Sequence, residues 1–473
     1  MTFTPFFINS NIVTSQDSLC DYDTFMDAVA GNTGNSYITW ALLKELGVAQ
    51  LKDDFHIQNI YEFDFEKADY VAEFVNANCT HVFLILQDQI RIAESYGYTL
   101  PYEGIKNLLE KIGKPVIVAG LGANSFTGFD SEFYKQLSPS LVDFLHYLSS
   151  RCTELGVRGN FTAEVLNQLG IKNAIPIGCP SFFETGKERV ITKKEKLLRE
   201  NMFFTSNYPS PLNQTAHQVC QDHQEAEIIH AIAFEVKENF FDSDFYREKY
   251  LKKRFHVFSS IPEWKGFASQ FDFSLGYRVH GCILSLNSGC LSVCCNGDSR
   301  AQEMCELLKI PFMPALNPES DMVELYDSID VSDLNTSYPR LYENFASFIK
   351  RNCDMEIHSM AKNTKQMTGG GSTGIDLYKN YHENCISLLF RTQSQQHTET
   401  EQKIETLSIQ TQTALENTLG KIAVLESKID FLIEMESQTQ AKLREFDGIL
   451  KNYNSLKNTL FARAVKKIVR RNL

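Results

Sequence analysis

Arg278 and His280 stand two positions apart in the segment Gly276-Tyr277-Arg278-Val279-His280-Gly281. The apolar run Phe271-Asp272-Phe273-Ser274-Leu275 precedes them and the small-residue stretch 282–288 follows, an order that reads as strand, turn and helix. In extended chain, residues two apart project to the same side, and Gly281 lets the backbone turn, so a guanidinium and an imidazole are expected to share one site. Arginine gives fixed bidentate hydrogen bonds to an oxyanion, while histidine can donate a proton near neutral pH. That pairing suits a phosphorylated, carboxylated substrate. The spacing alone fits a structural pair equally well, with His280 capping a helix and Arg278 meeting a carboxylate at the core edge.

The elements that must position these groups follow from hydrophobic pattern. Helical patterns at 34–46 and 105–112 alternate with a strand-like run at 81–86, which favours a parallel α/β sheet. The run 115–124 reads as a buried strand ending in a small-residue turn, placing Gly122 and Asn124 where backbone can approach a ligand at a cleft. Helix, strand, helix and strand follow at 141–151, 153–158, 161–169 and 174–177, with Gly170 suited to a left-handed helix cap. The polar stretch 184–200 is taken as the connection between an N-terminal lobe, 1–190, and a second lobe, 191–365. In the second, strands are expected at 201–207 and 255–259, helix across 215–234, and further helix around 341–351.

Four segments, in order, resemble the polysaccharide pyruvyl transferase family: Gly31-Asn32-Thr33-Gly34-Asn35, Gly156-Val157-Arg158-Gly159-Asn160-Phe161-Thr162, Ile175-Pro176-Ile177-Gly178-Cys179-Pro180-Ser181, and the Arg278/His280 segment. Two departures stand out: Asn35 replaces the acid usual in the first segment, and Gly159 the acid common after the arginine of the second. The resemblance implies an α/β fold of two Rossmann-like lobes, similar to that of GT-B glycosyltransferases. It implies transfer of a pyruvyl group from phosphoenolpyruvate to a sugar as a cyclic ketal, with no cofactor and no metal. Under it, Arg278 and Arg158 hold the donor's phosphate and carboxylate. His280 moves a proton or binds the leaving phosphate. Asn32, Gly34 and Asn35 lie at the first strand-to-helix turn, where a helix N-terminus can hold anionic or sugar groups; an ordinary turn and cap is the plain alternative. Gly122 and Asn124 complete the expected donor-binding set.

Residues 366–397, which include Gly369-Gly370-Gly371, read as linker and helix. Beyond them, at 398–460, Leu415, Ile422, Leu425, Ile429, Leu432, Leu443, Phe446, Leu450, Tyr453 and Leu460 fall on one heptad seam, so a C-terminal coiled coil and a homo-oligomer are expected. The end, 461–473, with Arg463, Lys466, Lys467, Arg470 and Arg471 among apolar residues, reads either as a basic amphipathic helix for peripheral contact with the inner membrane face or as a solvated helix end. A net charge of −13 argues against a nucleic-acid surface, and the absence of an apolar run near spanning length argues against membrane insertion. The 12 cysteines, without an early apolar signal segment, fit reduced thiols in a cytoplasm. Cys282, Cys290, Cys294 and Cys295 lack zinc-knuckle spacing, and His217, His223 and His230, placed on the expected helix, lack an i, i+4 pair. The acceptor is expected to be a free or lipid-linked glycan. Two other readings stay open: a GT-B-like transferase using a nucleotide sugar, and a non-catalytic assembly protein acting through its coiled coil.

Overall fold

The computed structural model describes residues 3–12, 29–48, 51–92, 99–125, 128–205, 216–221, 254–256, 258, 260–315, 320–355 and 357. The expected linker, coiled coil and basic end, 366–473, lie outside the described residues. The chain divides into two compact units, residues 1–378 and 379–473, and everything below concerns the first.

The first sheet is built from β1 (Pro5–Ile8), β2 (His56–Ile57), β3 (His81–Leu84), β5 (Val116–Leu121), β7 (Leu155–Val157) and β8 (Ala174–Pro176). Its strands run in the order β2-β1-β3-β5-β7-β8, every neighbouring pair parallel. β4 (Ile90–Arg91) and β6 (Ala123–Asn124) form a short parallel pair of their own. The helices are α1 (Thr33–Glu45), α2 (Ala68–Asn78), α3 (Tyr102–Lys111), α4 (Pro139–Arg151) and α5 (Asn160–Gln168). All six residues of β5 are buried, as a strand covered by helices on both faces requires.

The second sheet joins β9 (Met202–Phe204), β10 (His217–Val219), β11 (Phe255–His256), β12 (Phe273–Gly276), β13 (Leu291–Cys295) and β14 (Phe312–Met313) in the order β11-β10-β9-β12-β13-β14, again all parallel. Its helices are α6 (Ile261–Ala268), α7 (Val279–Asn287), α8 (Ser299–Leu308), α9 (Met322–Ser328) and α10 (Ser332–Cys353). The molecule is therefore a mixed α/β protein with two parallel, Rossmann-like sheets. The helix expected across 215–234 is corrected at its start, where His217–Val219 is β10; His217 Nδ1 lies 2.7 Å from His256 Nε2 of β11, and strand pairing outweighs the helical spacing of the sequence.

Alternation along the strands divides the interior. Phe6, Ile8, Val82, Leu84, Val116 and Val118 face one core with α2, α3 and α4, while Phe7, Phe83 and Ile117 face a second that continues through α1 and residues 180–183 into the other sheet. Helix α10, within the segment expected to belong to the second lobe, lays its C-terminal half on the first. Phe345 stacks on Phe183 at 4.8 Å, Tyr342 donates to Glu45 of α1 at 2.8 Å, and Arg351 pairs with Glu154 at 2.8 Å. The polar stretch 184–200 is partly structural. Glu184 is buried and bridges Lys44 of α1, at 2.6 Å, and Lys265 of α6, while the guanidinium of Arg189 lies between the rings of Phe182 and Tyr338 at 4.0 and 3.8 Å. Among the described residues no helix is long and apolar enough to cross a membrane.

Candidate functional site

Strand order predicts where a ligand sits. In each sheet the chain reverses direction of growth beside the first strand, between β1 and β3 in one and between β9 and β12 in the other, and such switch points open a crevice at the carboxyl ends. The two crevices share one cavity. Asn32, Asn35, Gln87, Asp88 and Arg158 line it from the first sheet and Gln221, Arg278, Val279, His280 and Arg300 from the second, around about 30 Å³.

Arg158 follows β7 and is 1% exposed; its backbone N–H donates to the Leu121 carbonyl at 2.8 Å. Gly122 backs it, since a Cβ there would come within 2.7 Å of Arg158 Cδ. Buried polar groups are normally satisfied, yet Nε and Nη2 of Arg158 meet no hydrogen-bond partner among the described residues. Arg158 thus brings a buried cationic group to the cavity wall.

Strand β12 stops at Gly276, and Arg278 is the N-cap of α7, so His280 lies in the helix's first turn rather than in extended chain. The two side chains reach one cavity because a helix N-terminus turns both toward the strand's end. Gly281 does not provide the turn either: it sits within α7, where a Cβ would press on Thr205 Cβ at 2.7 Å. His280 is 5% exposed, with Nε2 3.6 Å from Cys179 Sγ. Burial, reinforced by Arg158 and Arg300 and opposed by Asp88, holds its imidazole well below the usual 6.5. Held in this way, the imidazole takes up a proton less readily than a free histidine does.

Helix α1 points its N-terminus at the same place. The Asn32 side chain caps it by accepting from the Gly34 N–H at 2.9 Å, and no acidic residue occupies its first turn. With Asn35 where a carboxylate would have partly neutralised the dipole, the helix end stays open to an anion. Gly34 is not a lining residue. It is a close-approach position, because a Cβ would collide with the Gln221 side chain and lie 2.9 Å from His280 Cβ. Asn124 also stands behind the wall, donating to Asp88 at 3.1 Å.

Sequence reasoning missed Gln87, Asp88, Gln221, Val279 and Arg300. Arg300, in the first turn of α8, crosses the cleft to Asp88 at 2.9 Å and also meets Asp298 at 2.9 Å. Burial alone would raise the Asp88 carboxyl, but Arg300, Arg158 and Arg91 together hold it well below the carboxylate range. Asp298 could be read locally as a helix cap, and it does accept from the Ala301 N–H at 2.8 Å. Nothing local marks Arg300 as the partner of a carboxylate 212 residues earlier.

Gly159 has a structural counterpart. A Cβ there would lie 2.8 Å from Glu303 Cβ and Oε2, and this carboxylate, arriving from α8, accepts from Thr162 N–H at 2.9 Å and Thr162 Oγ1 at 2.6 Å. The space beside Gly159 is thus filled by a side chain that belongs to the other sheet's layer. Cys282, Cys290, Cys294 and Cys295 are buried in the core, and no group of three or more His, Cys, Asp or Glu among the described residues could hold a metal. A roomier cavity of about 450 Å³ lies at the edge by β2 and α2, lined among others by Asp54, Glu62 and Asp64, and contains none of these arginines.

A family model described as polysaccharide pyruvyl transferase matches residues 32–299, more than half of the chain, from the cap of α1 to the start of α8. No curated protein matches the sequence. A solved structure described as "S. aureus MnaA-UDP co-structure" is similar at 11% identity, covering 72% of this chain and 89% of its own, with a TM-score of 0.33.

Proposed function

The chain belongs to the polysaccharide pyruvyl transferase family, and on that premise we propose that it moves a pyruvyl group from phosphoenolpyruvate to two hydroxyls of a sugar in a surface-polysaccharide precursor, on a GT-B-like pair of lobes. The observation that carries the donor assignment is the buried Arg158 guanidinium, two of whose donors meet no partner among the described residues, flanked by Arg278 and Arg300. A doubly acidic donor satisfies these groups, with bidentate contacts from Arg158 and Arg278 to its carboxylate and phosphate. The cavity holds about 30 Å³, the scale of one water, so on this reading donor entry requires side chains at the Asp88–Arg300 bridge to part.

The chemistry then follows from charge. The donor's negative charge beside His280 favours the imidazolium, so the acid forms when the substrate arrives rather than before it. Protonation of the enol methylene makes C2 electrophilic. One sugar hydroxyl adds to C2 and loses its proton, phosphate departs carrying one proton, and the second hydroxyl closes the ring and loses its own. The products are the ketal, with a new methyl group, and hydrogen phosphate. Arg158 and Arg278 stabilise the departing phosphate.

The test is direct. Purified chain, phosphoenolpyruvate and lipid-linked or free glycans should release phosphate and add a pyruvyl ketal mass to the glycan. Arg278→Lys should lose most turnover, because a point-charge ammonium cannot reproduce the planar fork, and His280→Ala should lose it too. A wild-type chain that binds a nucleotide sugar but not phosphoenolpyruvate would overturn the assignment.

A further inference from the structure

Beside the arginine cavity lies another of about 230 Å³, lined by Phe129, Asn160, Phe161, Glu303 and Glu306. The two are neighbours through two elements at once. Arg158 lines the first and Asn160, two residues later, the second; Arg300 lines the first and Glu303, one turn along α8, the second, a step of about 5–6 Å. The wall is shared between the sheets, because Ser125 and Ser299 exchange hydrogen bonds at 2.8 and 3.2 Å and hold the end of β6 against the start of α8.

The lining has a definite chemistry. Phe129 is 44% exposed, and its ring stacks on Phe161 at 5.1 Å with 23° between planes, while Phe133 braces Phe161 at 5.9 Å. An aromatic ring kept at the surface on a second ring is a platform whose face is electron-rich. The C–H face of a sugar ring carries the opposite polarity and stacks there. Around the platform stand a carboxylate acceptor, Glu306, and the amide of Asn160, both exposed and suited to sugar hydroxyls. The exposed Glu306 repels a ligand bearing its own carboxylate or phosphate, so the two cavities sort two substrates by charge: an anion among arginines, an uncharged ring among phenylalanines beside a glutamate.

We propose that the 230 Å³ cavity is the acceptor subsite and that it takes a neutral hexose ring stacked on Phe129, two of whose hydroxyls face the arginine cavity. The assignment rests on the transferase reading above. It makes Phe129 a specificity residue for a neutral sugar and against uronic acids.

The experiment uses the full chain and saturation-transfer NMR with methyl glucoside, methyl galactoside, methyl mannoside and methyl glucuronide, alongside calorimetry with phosphoenolpyruvate. At least one neutral hexoside should give a signal and the glucuronide none. Phe129→Ala should weaken that binding at least fivefold and Phe129→Tyr should restore it, while both variants bind phosphoenolpyruvate as wild type does. Absence of binding by every neutral hexoside, equal binding of the glucuronide, or unchanged binding in Phe129→Ala overturns the acceptor subsite. Failure of wild type to bind phosphoenolpyruvate sinks the transferase reading instead, so the two failures are distinguishable.

Discussion

Replacing Glu303 by glutamine should change how stability depends on pH, and the size of the change can be worked from the structure. Glu303 reaches from α8 to the N-terminal turn of α5 and is 2% exposed. Burial raises its carboxyl from an ordinary 4.5 to about 7, although the hydrogen bonds from Thr162 and the charge of Arg158 pull the other way. In the unfolded chain the group loses its proton near 4.5, so between the two values the folded state holds the extra proton. Stability contributed by the protonated form is therefore complete below about 4.5 and is lost as pH rises to about 7. At about 1.36 kcal/mol for each pH unit between them, the loss is about 3 kcal/mol. Taking about 2 °C per kcal/mol for a large domain, that is about 6 °C in Tm. Melting temperatures of wild type and Glu303→Gln, measured from pH 4 to pH 8, should converge or cross, with the wild-type value relative to the variant falling by about that much. A difference between the two proteins that stays constant across this range would refute the buried, raised carboxyl.

Three further outcomes follow from the same cavity. Binding of phosphoenolpyruvate at pH 7 should take up a proton on His280, seen as a dependence of calorimetric heat on the ionisation enthalpy of the buffer, and this dependence should vanish in His280→Gln. Asp88→Asn should lower stability by about 3 kcal/mol, since breaking one side of a buried ion pair leaves the other uncompensated, yet tighten phosphoenolpyruvate binding about tenfold by removing a negative charge from the cavity. Denaturant unfolding and calorimetry check the two opposed signs. Gly34→Ala should leave the secondary structure by circular dichroism intact while phosphate release falls on the order of 10²-fold, because the new methyl displaces His280 from its position.

Much of the architecture is written locally. The apolar run 115–121, the Gly170 cap and the strand-to-helix segment around Arg278 each depend on neighbours in the chain, and hydrophobic spacing reports such neighbours directly. The order of short motifs was equally legible, and the structure brings Asn32, Asn35, Arg158, Arg278 and His280 to one cavity. Local pattern misled at 217–219, where parallel pairing with strands on both sides decides for β10. It also mistook the reason Arg278 and His280 converge, which is the start of α7 and not an extended strand.

Only the tertiary structure could decide the rest. That Asp88 faces Arg300, that Glu303 fills the space left at Gly159, and that burial lowers the His280 imidazole all depend on groups far apart in sequence. Residue type and spacing determined which side chains could do chemistry, because those are properties of the residue and its near neighbours. Charge state, counter-charge and the partition into an arginine cavity and an aromatic one depend on solvent exclusion and on what arrives from the other sheet, and neither is encoded in any local window of the chain.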